Sequence, residues 1–431
     1  MSDGVTSLAE YRSALEETLA DNVLEFWFPR SIDDEHGGFL TSYDRDGEFA
    51  GNGHKQVVTQ ARMVWLTARL ARAGFGDELG DENGDETDEY LAIAEDGFEF
   101  LVDAMWDDDR GGFYWEVERD GTTSKPNKHL YGQAFGIYAL SELARVSDDD
   151  RPGQYARELV DLLDEHAKDD AHGGYVEYFT PDWEPVTEGQ TYLENIEPDW
   201  SPKESGNSVL DPTLKLTNTH LHLMEAFTTY YEVFETDRGR ERLHELFDVV
   251  TNTVYRKGRQ FCTDKYDPDW TPKLDDEAFR IVSYGHDLEG VWLAMEAAEA
   301  LGLSTDLYTE LFETLWDYSL EYGYDEERGG FYFYGGFDEP ASFRVKAWWV
   351  QAECITSALR MYEHTGEERY LDVFADTWDF LDEHQIDRER GEWHSGVTDD
   401  LEPVGRKGAV YKAAYHNGRA LLECVEAIDR L

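Results

Sequence analysis

The sequence predicts an all-α fold in which about twelve helices form six pairs and close into an (α/α)6 barrel. Two observations predict it. A short glycine pattern recurs six times along the 431 residues and divides the chain into six units of about 72 residues. Stretches of apolar residues at 3.6-residue spacing, enough for two helices, lie between successive copies. Because one pattern runs through the whole chain, residues 1–431 are expected to form a single domain.

The glycine pattern consists of one or two glycines followed by an aromatic residue. Each copy follows an apolar-periodic stretch and an acidic turn, and precedes a short aromatic run, which predicts a helix, a tight turn and a short β-hairpin. Glycine supplies the positive φ of such turns, so a structural role is expected for most copies. The copies are His36-Gly37-Gly38-Phe39, Arg110-Gly111-Gly112-Phe113, His172-Gly173-Gly174-Tyr175, Arg328-Gly329-Gly330-Phe331, the degenerate Arg390-Gly391-Glu392-Trp393 and the weaker Lys257-Gly258-Arg259-Gln260-Phe261.

The periodic stretches predict the helices themselves. The first runs from Leu8 to Trp27, with apolar residues three or four positions apart, and another contains Tyr131, Phe135 and Tyr138. Inner helices of the barrel are expected to be buried on both sides and outer helices on one, with a cup where the loops meet. Residues 76–89 hold eight acidic side chains and predict an exposed loop between helices.

The composition excludes several classes of protein. There are 94 Asp and Glu residues against 38 Lys and Arg, a formal net charge of −56, so nucleic-acid binding and attachment to anionic membranes are not expected. The 41% hydrophobic and 14% aromatic content excludes a disordered acidic chain. Such charge is tolerated where salt screens it, which predicts a salt-adapted protein from an extremely halophilic host.

The cysteines and the apolar runs indicate a reducing, cytoplasmic location. Cys262, Cys354 and Cys424 lie far apart in the sequence and are expected to pack in the core, without a disulfide or zinc site. Neither a secretory signal nor a run of 18 apolar residues is present. The oligomeric state is expected to be a monomer or homodimer.

Candidate chemistry lies in polar residues set inside apolar helices, because the common nucleophile, phosphate-loop and metalloprotease signatures are absent. Asn218, His222 and Glu225 follow i, i+4 and i+7 and share one helix face. His220 points about 200° away from His222, so only one of the two histidines can face the cup. Spacing alone does not favour a metal ligand there.

Further candidates come from three other helices. His286, Glu289 and Trp292 follow i, i+3 and i+6, and Asp287 is expected to cap the start of that helix. His416 lies where a loop enters the last amphipathic helix, which is the rim of a helical barrel. Arg62 and Trp348 are the remaining polar or aromatic candidates on apolar helices.

Four segments together resemble the N-acylglucosamine 2-epimerase family, and within it the cellobiose 2-epimerase branch. The segments are Asn218-Thr219-His220-Leu221-His222, Gly285-His286-Asp287-Leu288-Glu289, Lys346-Ala347-Trp348-Trp349-Val350-Gln351-Ala352-Glu353 and Tyr415-His416-Asn417-Gly418-Arg419. The resemblance spans about residues 10 to 430 and implies an (α/α)6 barrel, in agreement with the repeat count.

The resemblance also implies roles for the candidates. His286 and His416 resemble the general acid/base pair, and His222 resembles the histidine that assists ring opening and holds the intermediate. The residues that resemble substrate-holding positions are Arg62, Tyr131, Asn218, Glu289 and Trp348. The implied reaction inverts C2 of a reducing aldose through a cis-enediolate with two imidazoles that titrate near pH 7, and needs neither metal nor nicotinamide.

Two departures from the cellobiose branch concern sugar-stacking aromatics. The position five residues before the last histidine is Tyr411 instead of tryptophan, and residues 275–280 lack the tryptophans found before the Gly-His-Asp motif. A monosaccharide such as mannose or glucose is therefore as compatible as a disaccharide. The alternatives are an aldose-ketose isomerase with the same histidines, an (α/α)6 glycoside hydrolase with two carboxylates about 5–10 Å apart, and a non-catalytic sugar-binding protein.

Overall fold

The computed structural model describes residues 7–75, 89–187, 211–255, 261–274 and 279–431. Within these ranges twelve α-helices have ten or more residues, as the repeat count predicts. In chain order they are α1 (Leu8–Glu17), α2 (Val57–Arg72), α3 (Glu89–Phe100), α4 (Leu130–Val146), α5 (Arg151–Leu162), α6 (Thr217–Phe234), α7 (Asp237–Asp248), α8 (Tyr284–Leu301), α9 (Thr309–Gly323), α10 (Trp348–Thr365), α11 (Glu368–Phe380) and α12 (Tyr415–Arg430).

The twelve helices form the predicted (α/α)6 barrel. The even-numbered helices are buried over most of their length and contact one another in order around an inner ring, which closes where α12 meets α2. Each odd-numbered helix packs outside, with one face exposed, and α1 packs on α12. No helix in the described ranges is both long and apolar enough to cross a membrane.

The outer helices differ from the prediction of continuous α-helix. From α1 into the turns that follow it, Tyr11, Leu15, Leu19, Val23 and Trp27 are four residues apart, a repeat that would drift by about 40° per step on a regular α-helix. The wider turns of the π-helix keep these five side chains facing the core. These π-helical segments, which extend five outer helices, are Thr18–Leu24, Leu101–Met105, Leu163–Ala167, Val249–Val254 and Leu381–Gln385.

Short antiparallel strands join neighbouring units at the end of the barrel where the inner helices begin, here called the cup. The strand before an inner helix pairs with the strand that follows the next glycine turn. They are β1 (Lys55–Gln56), β2 (Glu116–Val117), β3 (Thr123–Lys125), β4 (Lys128–His129), β5 (Tyr178–Phe179), β6 (Lys215–Leu216), β7 (Lys265–Tyr266), β8 (Ile281–Ser283), β9 (Tyr334–Gly336), β10 (Val345–Ala347), β11 (Gly396–Thr398) and β12 (Pro403–Val404). Their sheets are β1-β2-β3, β4-β5, β6-β7, β8-β9 and β10-β11-β12.

The glycine turns have the structural role expected of them. Their first glycines in the described copies have φ between 69° and 78°, and the aromatic residue forms a β-bridge back across the turn, as Phe39 does with Ile32. A Cβ on Gly38 would lie 2.6 Å from Phe100 and 2.7 Å from Gln60, so the turn packs directly on helix side chains. Residues 256–260 of the weakest copy, 76–88 of the acidic segment and 275–278 lie outside the described residues. The three cysteines are buried in the core, as expected, and are free thiols.

The fourth residue of each of five inner helices bonds the backbone at or directly after a copy of the glycine pattern. Three units use glutamine, whose side-chain oxygen accepts from the aromatic N–H and whose amide donates to the same residue's carbonyl. The bonds join Gln60 to Phe39 (2.8 and 2.9 Å), Gln133 to Phe113 (2.8 and 2.8 Å) and Gln351 to Phe331 (2.8 and 2.7 Å). In the fourth unit Asp287 accepts from the Cys262 N–H at 3.0 Å, so its predicted role as a helix cap is wrong.

His220 does in the third unit what glutamine does elsewhere. Its Nε2 accepts from the Tyr175 N–H at 3.0 Å, and its Nδ1 donates to the Leu216 carbonyl at 2.8 Å. This arrangement requires a neutral ring, and burial lowers the pKa of His220 to about 3. His220 is therefore structural, which leaves His222 as the histidine of this pair that faces the cup.

Buried lysines fasten the same turns by ion pairs. In five units a lysine donates to the aspartate that opens the turn, and in four of them it also donates to a glycine carbonyl of that turn. The pairs are Lys55–Asp33 (2.9 Å), Lys128–Asp107 (2.6 Å), Lys215–Asp169 (2.7 Å), Lys346–Asp325 (2.9 Å) and Lys407–Asp387 (2.7 Å). All five lysines are almost fully buried, so these residues beside the candidate site segments hold the rim of the cup together.

Removal of one buried lysine is expected to cost more stability than removal of a surface lysine. Lys128→Met leaves Asp107 buried without its cation, which costs about 3–5 kcal/mol in the free energy of unfolding. Lys125→Met removes the half-exposed partner of Glu116 and costs about 0–1 kcal/mol. Urea unfolding of both variants measures the difference, and equal losses would show that the buried pair is not special.

His220→Gln is expected to fold, because glutamine makes the equivalent bonds in three other units. The unfolded chain protonates His220 near pH 6.5, and the folded chain does so only near pH 3, so the wild type loses stability as the pH falls through this window. The variant lacks this loss, about 1 kcal/mol per pH unit below 6.5. Urea unfolding at pH 7.5 and 5 tests it, with His220→Ala as control: the glutamine variant should stay near wild type at pH 7.5 and the alanine variant should not.

Candidate active site

Ring closure brings the first turns of all six inner helices together at the base of the cup. Each sequence-predicted site residue lies there, one or two from each helix. They are Arg62 on α2, Tyr131 on α4, Asn218 and His222 on α6, His286 and Glu289 on α8, Trp348 on α10 and His416 on α12. All are buried except His286, Tyr131 and Asn218, which are partly exposed. The helix faces predicted from sequence spacing are therefore those that meet at the barrel axis.

Two of the three histidines are held by glutamates. Nδ1 of His222 lies 2.8 Å from Glu225 Oε2, and Nδ1 of His416 lies 2.7 Å from Glu353 Oε1. An ionised carboxylate can only accept, so Nδ1 carries the hydrogen in both rings and Nε2 is left as the basic nitrogen. The first pair lies on one helix, but the second links α12 to α10.

Arg419 joins the glutamates of the site. It is 1% exposed, and its guanidinium donates to Glu225, to Glu289 at 2.8 Å and to Glu353 at 2.8 Å. The Trp292 indole donates to Glu353 Oε2 at 3.0 Å. Three carboxylates from three helices thus share one cation in a closed environment.

Glu289 differs from the other two glutamates. Its Oε2 has no hydrogen-bond partner among the described residues and lies 4.0 Å from Nε2 of His222. Burial and the nearby Glu353 raise the pKa of Glu289 well above its ordinary value. For Glu225 and Glu353, burial is outweighed by Arg419 and the bonded histidine, and the pKa is lowered, to about 2 for Glu353. Of the three carboxyls, Glu289 is therefore the one that most readily takes up a proton.

Trp349 lies against both histidines of the predicted acid/base pair. Its ring centroid is 4.8 Å from that of His286 and 5.9 Å from that of His416. The sequence pointed instead to Trp348, which is buried at the edge of the site, 6.4 Å from His416, with an unpartnered Nε1. Both indoles border His416, and Trp349 is the one shared by the two rings.

Arg62 forms the opposite wall with aromatic residues. Its guanidinium donates to the Tyr131 hydroxyl at 3.0 Å and lies 4.2 Å from the centroid of Phe135. Both aromatic rings also border His222, at 5.3 and 4.9 Å between centroids. The polar atoms Arg62 Nε, Asn218 Oδ1, Trp348 Nε1 and Glu289 Oε2 have no partner among the described residues. The site thus offers both donors and acceptors around the histidines.

Burial changes the expected protonation of the histidines. It lowers the pKa of His286 to about 4 and of His416 to about 3, and lowers that of His222. The expectation of imidazoles that titrate near pH 7 is therefore wrong for the free protein. All three rings are neutral at pH 7 and available as bases.

Glu289, Glu353 and His416 lie close enough to suggest a cation site. Their potential ligand atoms are within 4.8 Å of one another. However, three of the four carboxylate oxygens already accept from Arg419 or Trp292, and Nδ1 of His416 is bonded to Glu353. The guanidinium occupies the position of positive charge, so this donor set does not fit a metal ion.

Tyr411, one of the two departures from the cellobiose branch, lies beside Arg62. Its hydroxyl accepts from Gln56 at 3.4 Å, and its carbonyl accepts from Arg62 at 3.5 Å. The other departure falls mostly in residues 275–278, outside the described residues.

Comparison with known proteins decides the family. A model of the N-acylglucosamine 2-epimerase (GlcNAc 2-epimerase) family matches residues 37–197 and 187–420. The chain belongs to this family. The cellobiose 2-epimerase of Ruminococcus albus is 30% identical to this family member over an alignment of 433 positions, which covers 97% of this chain and 98% of the relative.

Solved structures agree with the barrel. The cellobiose 2-epimerase structure from Bacillus thermoamylovorans B4167 has a TM-score of 0.82 and 28% identity, and covers 98% of this chain and 100% of its own. A D-mannose isomerase structure has a TM-score of 0.80 at 21% identity, over 96% of this chain and 97% of its own, and shows the shared fold. This member of the N-acylglucosamine 2-epimerase family is thus an isomerase-family enzyme.

Proposed function

We propose that the protein is a carbohydrate 2-epimerase that inverts C2 of a reducing aldose, with the whole chain as one catalytic unit. The observation that carries the proposal is the pair His286 and His416, from different helices, against one shared indole. Inversion needs a base on one side of C2 and an acid on the other. Two imidazoles from α8 and α12 in one enclosed site supply these groups.

The reaction begins with ring opening to the aldehyde, in which His222 assists through Nε2. One of His286 and His416 then removes the C2 proton, and electrons move to the carbonyl oxygen to give a cis-enediolate. The other imidazole takes up a proton from solvent once the enediolate has formed and delivers it to C2 from the opposite face, while the first imidazole releases its proton to solvent. The negative enediolate raises the pKa of a nearby imidazole, which offsets the effect of burial.

The remaining residues hold the substrate and its developing charge. Arg62 and His222 face the enediolate oxygens, and preorganised charge of this kind is often the largest catalytic effect. Glu289 bonds a sugar hydroxyl through its unpartnered Oε2, and Asn218, Tyr131 and Trp348 bind hydroxyl groups or stack on the ring. The similarity to cellobiose 2-epimerases supports a disaccharide, and Tyr411 in place of a stacking tryptophan favours a monosaccharide such as mannose or glucose.

The experiment is incubation of the purified protein with mannose, glucose, N-acetylglucosamine and cellobiose in D₂O containing molar KCl, followed by NMR. Deuterium at C2 of a recovered 2-epimer is expected. His286→Asn and His416→Asn should each lower kcat by about 10²–10⁴-fold, because each removes one acid/base group. Accumulation of labelled ketose would assign the protein as an aldose-ketose isomerase, the activity named for the D-mannose isomerase relative. Cleavage of a reducing oligosaccharide would indicate a glycoside hydrolase, and no change in any sugar would contradict the proposal.

We further infer that the enzyme works in concentrated salt in the cytoplasm of a halophilic cell, because its net charge is −56. Salt at about 1 M shortens the Debye length to roughly 3 Å and screens repulsion between outer helices. The melting temperature should fall when KCl is lowered from 2 M to 0.1 M, with activity lost in parallel. A fully folded but inactive protein at low salt would contradict this.

A further inference from the structure

The charged centre of the site depends on one residue that touches three helices. Arg419 lies three residues after His416 on α12, and its fork faces α6, α8 and α10. One terminal nitrogen donates to Glu225 and to the Tyr415 hydroxyl, and the other donates to Glu289 and Glu353. The guanidinium plane lies 4.8 Å from the Trp292 centroid, so it is fixed by packing as well.

The two glutamates that Arg419 keeps ionised are those that hold histidines. Glu225 bonds His222 and Glu353 bonds His416, whereas Glu289 bonds neither ring. A carboxylate buried without a cation would take up a proton. A protonated carboxyl can donate as well as accept, so it would no longer select the Nδ1–H form of the ring.

We propose that Arg419 is a positioning residue of the reaction, which fixes the orientation and tautomer of His222 and His416 through Glu225 and Glu353. The inference rests on the proposed function and adds a residue to it. Arg419 need not contact the sugar, since it acts through two carboxylates. The three bonds to carboxylates require a planar fork with several donors, which the single ammonium of lysine does not reproduce.

Charge and geometry can be separated by two substitutions. Arg419→Lys keeps the charge and loses the fork, so kcat should fall by about 10²-fold with KM within about threefold, as expected for misplaced catalytic groups. The acid limb of its kcat–pH profile should stay at about the same pH as in the wild type. Arg419→Gln loses the positive charge as well. In the wild type this charge lowers the pKa of Glu225, Glu353, His222 and His416. Its acid limb should therefore move to higher pH.

The pH comparison must consider every ionisable group around the guanidinium. These are His222 and Glu225 on α6, Glu289 on α8, Glu353 on α10, Tyr415 and His416 on α12 and Tyr138 on α4, while Arg62 on α2 acts on the two histidines. Loss of the positive charge raises the pKa of each acid and each histidine in this set. All contributions to the acid limb thus have the same sign.

The matched control is Arg69→Lys. Arg69 is also a buried arginine on an inner helix, paired with Glu423 and Glu426 at the far end of the barrel. This substitution should lower the melting temperature and leave kcat within about twofold of the wild type. If Arg419→Lys behaves in the same way, Arg419 is structural only and the proposal is overturned.

A double-mutant cycle with Glu353→Gln tests the path through Glu353. Residues that act through one chain of contacts are not additive, so the double variant should be hardly slower than Arg419→Lys. Additive losses would overturn the proposal. If Arg419→Lys does not fold, the Glu353→Gln variant is measured alone. ¹⁵N NMR should then show that His416 loses its fixed Nδ1–H form, and kcat should fall. An unchanged kcat would overturn the proposal.

Failure of this proposal is distinct from failure of the proposed function. A wild-type protein that changes none of the tested sugars refutes the epimerase assignment. An active wild type with an unimpaired Arg419→Lys variant refutes only the positioning role.

Discussion

The cup depends on the bonds that tie the glycine turns to the inner helices that follow them. A helix of 16 to 18 residues can rotate or slide against its neighbours unless its end is fixed. Here the fourth residue of the helix bonds the turn backbone, and a buried lysine two residues before the helix binds the turn aspartate in most units. Because both contacts lie at the cup end, they fix where the first two turns of each inner helix point, and the site is built from those turns.

The sequence was sufficient for the architecture because the repeat is a local property. The number of helices follows from the repeat along the chain, and the faces that carry His222 and His286 follow from spacing within one segment. His416 was placed only by its position at the start of the last helix. The π-helical turns were not predicted, although the four-residue repeat that begins in α1 was a signal for them. The aspartate–lysine pairs were also missed, because a lysine near a helix start does not reveal its partner some twenty or more residues earlier.

The site was predicted less completely because its chemistry lies between helices. Glu353 and Arg419 lie in the motifs, but the sequence assigned no role to either. Only the barrel shows that Glu353 bonds His416 and that Arg419 joins three glutamates. A charged residue inside an apolar helix, as Arg419 is before Ala420 and Leu421, was the available signal. The choice between Trp348 and Trp349 could not be made from adjacent positions at a helix start. The lowered histidine pKa values could not be predicted either, because they result from burial by all six inner helices.

The fourth unit departs from the others at the position of the buried lysine. Val282 stands two residues before α8, where four other units have Lys55, Lys128, Lys215 and Lys346. The start of α8, which carries His286, is therefore held by the bond from the Cys262 N–H to Asp287, with no buried ion pair from this position. A polar substitution at Val282 leaves no buried carboxylate without its cation, whereas loss of any of the four lysines does.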